Sequence, residues 1–346
     1  MTTAYVTHPR FSEHHLPEHP EHAGRIRAVW RRLGETGLAA RMHALDVQPV
    51  TDEQILAVHS RGYLDVLQRI GSLGRTVRLD ADTYANPTSY EVACLAAGAV
   101  CTAADAVLRG DAANSLAVVR PPGHHAMPDH GMGFCLLGNI AIAAADARRR
   151  HQVERILIVD FDVHHGNGTE AMFYDDPSVL FVSTHQYPLY PGTGALEDIG
   201  AGAGQGYTAN IPIPGGHGDA SYAAIFEQVV WPLADRFQPQ LILASAGFDA
   251  HWADPLAGIR LSLNGYALLC SELLRMADQY CGGKIVFVME GGYNLEALSG
   301  GVCNLARLLL GDAPEDSLGP AASARPPSEI QPLIADLRRL HRLDVG

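Results

Sequence analysis

From residue 116 onward, short runs of branched apolar residues alternate with stretches of helical length, and this alternation leaves little choice of architecture. The runs are 116–119, 155–159, 179–183, 241–245 and 284–289, with 3–7 as a further candidate near the start. Each is apolar along nearly its whole length rather than at every second residue, which is the pattern of strands covered on both faces. Helical patterns, Ala-rich or amphipathic, occupy 89–108, 139–150, 219–237, 264–280 and 295–310. Strands joined by helical crossovers make an α/β fold with a single multi-stranded, mostly parallel sheet flanked by helices. Residues 184–218, rich in Gly, Pro and Tyr, read as long surface loops. Residues 313–328 read as a Pro/Ala/Ser-rich linker and 329–342 as an amphipathic helix packing back on the body. No repeat or second unit is visible, so 1–346 is expected to be one domain.

A polar cluster follows each strand. These are Arg120-Pro-Pro-Gly-His124-His125, Asp160-Phe-Asp162-Val-His164-His165-Gly-Asn167, Ser183-Thr-His185, Gly247-Phe-Asp249 and Glu290-Gly-Gly-Tyr293. In a parallel sheet all strand carboxyl ends lie along one edge, where ligands bind, so the clusters must converge. Composition agrees with a compact enzyme, since 47% of residues are hydrophobic and 18% charged. A net charge of −13 disfavours nucleic acid and anionic membrane surfaces and favours a cationic partner. The opening MTTAYVTHPRF lacks a basic-then-apolar secretory pattern, and the six cysteines include no CxxC pair, so reduced thiols and the cytoplasm are expected.

Asp162 and His164 are two residues apart, so on an extended strand end they project to one side and can hold one ion. Alone, such a pair is common in strand-to-loop turns; Asp249, ending another strand, supplies a third ligand. Two carboxylates and an imidazole leave a position open, the pattern of a catalytic zinc site, although Fe2+ accepts the same donors. His124 and His125 suit general acid–base work if each has an orienting partner. Asp160 and Asn167 can serve, one charged and one neutral, and the two imidazoles should then differ in basicity. Tyr293, after two glycines, can donate to a developing oxyanion. Phe134, preceded by Gly133, and Tyr190 can wall an apolar slot. Each of these residues also has an ordinary reading as a loop or core side chain; convergence separates the two.

RPPGHHA, GFCLLGN, DFDVHHGNGT, FVSTH, PGTG, SAGFDAHWADPLAG and EGGYN together resemble the zinc-dependent histone deacetylase and acetylpolyamine amidohydrolase family, from HPEHAGR to EGGYN. The resemblance implies the arginase/deacetylase fold with a narrow tunnel ending at zinc. It makes Asp162, His164 and Asp249 the zinc ligands, His124 and His125 the tandem histidines with His125 the working base, and Tyr293 the transition-state donor. Phe134 and Tyr190 match the tunnel walls, where phenylalanine is commoner than tyrosine at the second position. Arg25 matches a basic residue of the cavity beneath the zinc, and Asp82 a rim aspartate that holds the substrate backbone. A structural potassium ion is implied at Asp160, Ser183 and the carbonyls of Asp162, His164 and Thr184, and a second near Phe173, Asp176, Val179 and Tyr207. Asn167, where some branches carry Asp, resembles the class II-like and bacterial members.

The implied reaction is hydrolysis of an N-acyl amide to a carboxylate and a free amine. Specialised polyamine deacetylases carry an acidic gatekeeper or a long insertion; here Leu256 follows Asp254-Pro255 and no long insertion is evident, so acyl-lysine in a peptide or protein is the expected substrate and acetylated polyamine the alternative. A non-enzyme reading, a ligand-binding module that kept the fold, conflicts with competent chemistry at every proposed position.

Overall fold

The computed structural model describes residues 2–343. Ten strands form, β1 (Thr3–Val6), β2 (His43–Ala44), β3 (Val77–Arg78), β4 (Tyr84–Ala85), β5 (Asn114–Ala117), β6 (Ile156–Asp160), β7 (Val179–Gln186), β8 (Thr208–Ile213), β9 (Leu241–Ala246) and β10 (Ile285–Met289). Eight of them make one sheet in the order β2-β1-β5-β10-β9-β6-β7-β8, every pair parallel, while β3 and β4 form a small antiparallel hairpin. Every residue of β6, β9 and β10 is buried, which is why these runs are apolar without alternation.

The chain builds outward from β6 to the β8 edge and only later inserts β9 and β10 between β6 and β5. The four central strands β5, β10, β9 and β6 are therefore neighbours, and their carboxyl ends deliver RPPGHH, EGGY, GFD and DFDVHH side by side. The site's position is a consequence of this topology.

The expected helices form as Ser89–Arg109, Asn139–His151, Leu263–Cys281 and Leu295–Leu309. By length and composition Ser89–Arg109 could cross a bilayer, but 78% of its most apolar window is buried, as in a core helix packed on a sheet. Residues 219–237 are helical with a π turn at Phe226–Val230 just before Pro232. Proline has no N–H for the carbonyl four residues back, that of Gln228; Arg338 Nη1 donates to it instead, at 2.8 Å. Arg338 belongs to the Gln331–Leu340 helix, which buries Ile334 and Leu337.

The reading of 184–218 as surface loop is corrected. Thr184–Gln186 prolongs β7, and Thr208–Ile213 is the edge strand β8. Pro212 masks that strand in the sequence, because proline is excluded from a central strand but tolerated at an edge. Helices Gly24–Glu35 and Arg61–Ser72, in a region where no element was expected, also form.

Candidate active site

His164 Nδ1 lies 3.1 Å from Asp162 Oδ1 and 3.3 Å from Asp249 Oδ2, so one nitrogen faces both carboxylates. The three side chains are buried, with ligand atoms within 4.8 Å of one another. The backbone fixes the rest of each carboxylate: His164 N and Gly291 N donate to the two Asp162 oxygens, and Val163 N donates to Asp249 Oδ1. Asp249 Oδ2 has no hydrogen bond.

This donor set fits a divalent cation. Burial and then the neighbouring Asp162 push the Asp249 carboxyl up to about 7, so the pair resists holding two negative charges unaided. A cation in front of Asp249 Oδ2 and His164 Nδ1 would offset that repulsion and satisfy the bare oxygen. Gly291 keeps the place open, since a Cβ there would sit 2.1 Å from Asp249 Oδ2 and 2.5 Å from Asp162 Oδ2.

The tandem histidine rings lie 3.9 Å apart between centres, tilted by 39°, and have different partners. His124 Nδ1 donates to Asp160 Oδ2 at 2.9 Å; His125 Nδ1 donates to Asn167 Oδ1 at 2.7 Å. The Asn167 amide is oriented by its nitrogen facing the sulfurs of Met127 and Met132 at 3.2 and 3.3 Å, which leaves the oxygen for His125. Burial alone would depress His124, but Asp160 and Asp162 outweigh it and raise its pKa to about 10. Burial also depresses His125, and the charges of His124 and His164 add to it, holding its pKa well below the usual histidine value. The expected difference in basicity is therefore present: Asp160 favours the cationic form of His124, and the surroundings of His125 favour its neutral form, with Nε2 free to accept a proton.

A tunnel of about 220 Å³ leads to this floor, lined by Asp82, Gly133, Phe134, Tyr190, Leu256 and Tyr293 together with His125, His164 and Leu189. All five residues expected to contact substrate thus lie on one wall system. Gly133 and Phe134 are both left-handed, with φ of 55° and 69°. A Cβ on Gly133 would stand 2.3 Å from His125 Cδ2, so only glycine can lie against that ring. Phe134 accepts a strained backbone, held by Thr83 Oγ1, and packs edge-on against Tyr293 at 5.8 Å between ring centres.

Tyr293 is protonated, since burial, reinforced by Asp249 and Asp162 and only partly opposed by Arg25, raises its phenol far above the ordinary value. Its position is set from two sides. Asp254 Oδ2 accepts from Tyr293 N and Asn294 N, at 2.7 and 3.1 Å. Arg25 lies 5.0 Å from the ring centre and donates to the carbonyls of Glu290 and Gly292. Arg25 is itself held by Glu21, which also takes a two-pronged contact from Arg120.

Asp254, Glu21 and Glu290 went unassigned in the sequence. Glu290 Oε2 accepts from Gly123 N at 2.7 Å and so fixes the turn carrying the histidines. An Asp-Pro dipeptide signals an Asx turn and could have flagged Asp254; Glu21 has no local signature. Of the proposed potassium positions, Asp160 uses its oxygens on His124 and Asp162 N, and Ser183 Oγ pairs with His185 Nδ1 at 2.9 Å. Thr184 Oγ1 reaches the Asp160 carbonyl at 3.4 Å. At the outer position, the carbonyls of Phe173, Asp176 and Tyr207 accept backbone N–H groups.

Residues 19–309 match the histone deacetylase domain family. Histone deacetylase 10, chloroplastic, of Oryza sativa subsp. japonica is 39% identical over 365 residues, covering 98% of this chain and 81% of that protein. The histone deacetylase-like amidohydrolase of Pseudomonas aeruginosa is 41% identical, with 80% of this chain and 72% of that one covered. The crystal structure of the HDA15 HD domain matches with a TM-score of 0.91 at 35% identity, over 99% of this chain and 96% of the other. A likeness that runs through nearly every element, around a floor built for hydrolysis, makes this chain a member of the histone deacetylase family, an amide hydrolase on the arginase/deacetylase fold.

Proposed function

We propose that the protein is a zinc-dependent deacylase of Nε-acyl-lysine in peptides or proteins, built as one deacetylase domain. The observation that carries this reading is the bare Asp249 Oδ2, facing His164 Nδ1 at the end of a tunnel of about 220 Å³ walled by Phe134, Tyr190 and Leu256. Asp162, His164 and Asp249 would hold the ion, zinc in the first instance with Fe2+ as the alternative, and Asp160, Ser183 and Thr184 a structural potassium. When bound, the zinc supplies Lewis acidity toward the amide carbonyl and toward water.

The protein residues do the remaining work. Phe134 and Tyr190 align the apolar stem of the acyl-lysine, with Leu256 and Gly133 completing the wall and Asp82 meeting the substrate backbone at the rim. His125 Nε2 accepts the proton of the attacking water while Asn167 fixes the tautomer. His124, kept cationic by Asp160, adds positive charge beneath the reacting carbon. Tyr293 donates to the oxyanion of the tetrahedral intermediate, and protonated His125 returns its proton to the departing amine. The products are a carboxylate, acetate in the simplest case, and lysine.

Leu256 at the tunnel mouth supports lysine over polyamine, because an aliphatic side chain there gives no counter-charge to a second ammonium group. The test is acid release from an acetyl-lysine peptide and from acetylspermidine, side by side, with and without a chelator and after reloading with Zn2+ or Fe2+. Faster chelator-sensitive turnover of the peptide is expected. Preference for acetylspermidine would reassign the substrate, and metal content without turnover of either compound would remove the deacylase reading.

A further inference from the structure

At the edge of the sheet opposite the metal-ligand cluster, a cavity of about 550 Å³ opens beside the amino ends of β6, β7 and β8. Arg155, just before β6, Arg236, near the end of the 219–237 helix, and Arg342 and His341, just past the last helix, line it, and among the described residues no carboxylate side chain does. In a chain with a net charge of −13, three guanidiniums gathered on one wall, with exposed Glu154 the one acid paired to any of them among the described residues, require an explanation.

Their charges are little compensated among the described residues, where the contacts of Arg155 and Arg236 are mostly to backbone carbonyls. Arg236 gives its guanidinium to two carbonyls, those of His341 and Gly206, and among the described residues it meets no carboxylate. Arg155 Nε donates to the Gln238 carbonyl, and its closest acid, Glu154, is exposed and stands at 3.8 Å. Arg342 is exposed at the cavity's rim. A second observation points the same way. His341 is 3% exposed, yet neither ring nitrogen has a hydrogen-bond partner. An imidazole buried beside a cation with both nitrogens bare is costly unless something supplies an acceptor.

The rest of the wall is apolar and aromatic. Tyr207 and Phe237 meet edge to face at 5.9 Å, with Leu180 and Leu340 beside them. The volume lies within the range of small-molecule sites.

We propose that this cavity binds a small organic phosphate, a dianion carried on a flat apolar body. Arg155, Arg236 and Arg342 surround the phosphate, matching their planar donor forks to its oxygens, and the body lies against Tyr207 and Phe237. This site is independent of the deacylase reading, because it shares no residue with the tunnel.

The test uses the full chain in isothermal titration calorimetry at low salt, with phenyl phosphate, inorganic phosphate and phenol as probes. Phenyl phosphate should bind saturably, with inorganic phosphate about tenfold weaker and phenol silent. Arg155→Gln and Arg342→Gln, whose circular dichroism should match the parent because neither side chain holds the fold together, should each weaken phenyl phosphate by about fivefold or more. Raising the salt to 0.5 M should weaken it further. Absence of saturable heat with phenyl phosphate overturns the proposal. So does undiminished binding in the Arg155→Gln/Arg342→Gln double variant, and equal affinity for inorganic phosphate overturns the assignment of an apolar body.

Discussion

On the tunnel floor, every carboxylate oxygen except Asp249 Oδ2 accepts a hydrogen bond. The backbone or a histidine serves Asp160, Asp162 and the other oxygen of Asp249, while Gly123 N and the Ser245 hydroxyl serve Glu290. On the wall the side chains are looser. Tyr190 Oη has no partner, Asp82 is half-buried with a 3.2 Å contact from the Thr83 hydroxyl, and Leu256 rests on van der Waals contact. A floor held this completely can present charge in one geometry without reorganising, which is what electrostatic catalysis requires. A wall with spare donors and few constraints can change its preference without loss of the fold. Substitutions on the floor should therefore cost orders of magnitude, and those on the wall should redistribute activity among substrates.

The largest effect should come from filling the cradle. Gly291→Ala places a methyl against both metal-facing carboxylates, so metal affinity should fall by about 100-fold or more and turnover by about 1,000-fold, with circular dichroism unchanged. Metal content by atomic absorption beside the acetate-release rate measures this. Full metal occupancy and normal turnover would mean that the floor tolerates displacement and that the contrast with the wall is false.

Next in size is the support beneath the floor. Glu21 is buried between Arg25 and Arg120, and Glu21→Gln leaves two guanidiniums uncompensated, so it should destabilise the protein by about 3–5 kcal/mol in urea unfolding at pH 7. Burial opposes ionisation of Glu21, but Arg120, Arg25 and His14 outweigh it and bring its pKa down to about 2. A depressed carboxyl contributes stability that is present above the unfolded value near 4.5 and lost as pH falls through the folded value near 2. The parent should lose stability across that window. The glutamine variant should lose less, and parallel pH curves would show that Glu21 is not the group responsible.

Tyr293→Phe follows. It keeps the ring packing on Phe134 and beneath Arg25 while removing the donor, so kcat should fall by about 100-fold with KM little changed. Near-normal kcat would take the phenol out of the chemistry and leave it as part of the wall.

The same contrast governs how much could be read from the sequence. The floor was legible because short motifs at strand ends carry it and parallel topology forces strand ends together; DFDVHHGN alone supplies Asp160, Asp162, His164 and Asn167. The central strands were legible through unbroken apolar runs, and β8 was hidden by Pro212 and by polar Thr208 and Asn210 in a strand that closes the sheet. The supports were legible only in part. The family resemblance marks Arg25 and the RPPGHH cluster contains Arg120, but Glu21, which holds both, is distant in sequence from the tyrosine they help position and has no local signature. Which histidine pairs with Asp160 also needed coordinates, because the two are adjacent and differ only in the direction each ring faces.

The smallest effect, and the one that defines the wall, belongs to Leu256. Its backbone N is held by Asp254 Oδ1 at 3.0 Å, so the side chain can change without moving the loop that also fixes Tyr293. Leu256→Glu puts a carboxylate at the tunnel mouth near Asp82, where a substrate with a second ammonium would meet it and a neutral peptide backbone would not. Such an exposed charge pair is worth less than about 1 kcal/mol, so the ratio of kcat/KM for acetylspermidine over acetyl-lysine peptide should rise by about three- to fivefold, with the gain shrinking as salt is added. A loss on both substrates would indicate that Leu256 contributes to holding Tyr293 in place, and the line between floor and wall would then have to be drawn farther out, at the rim.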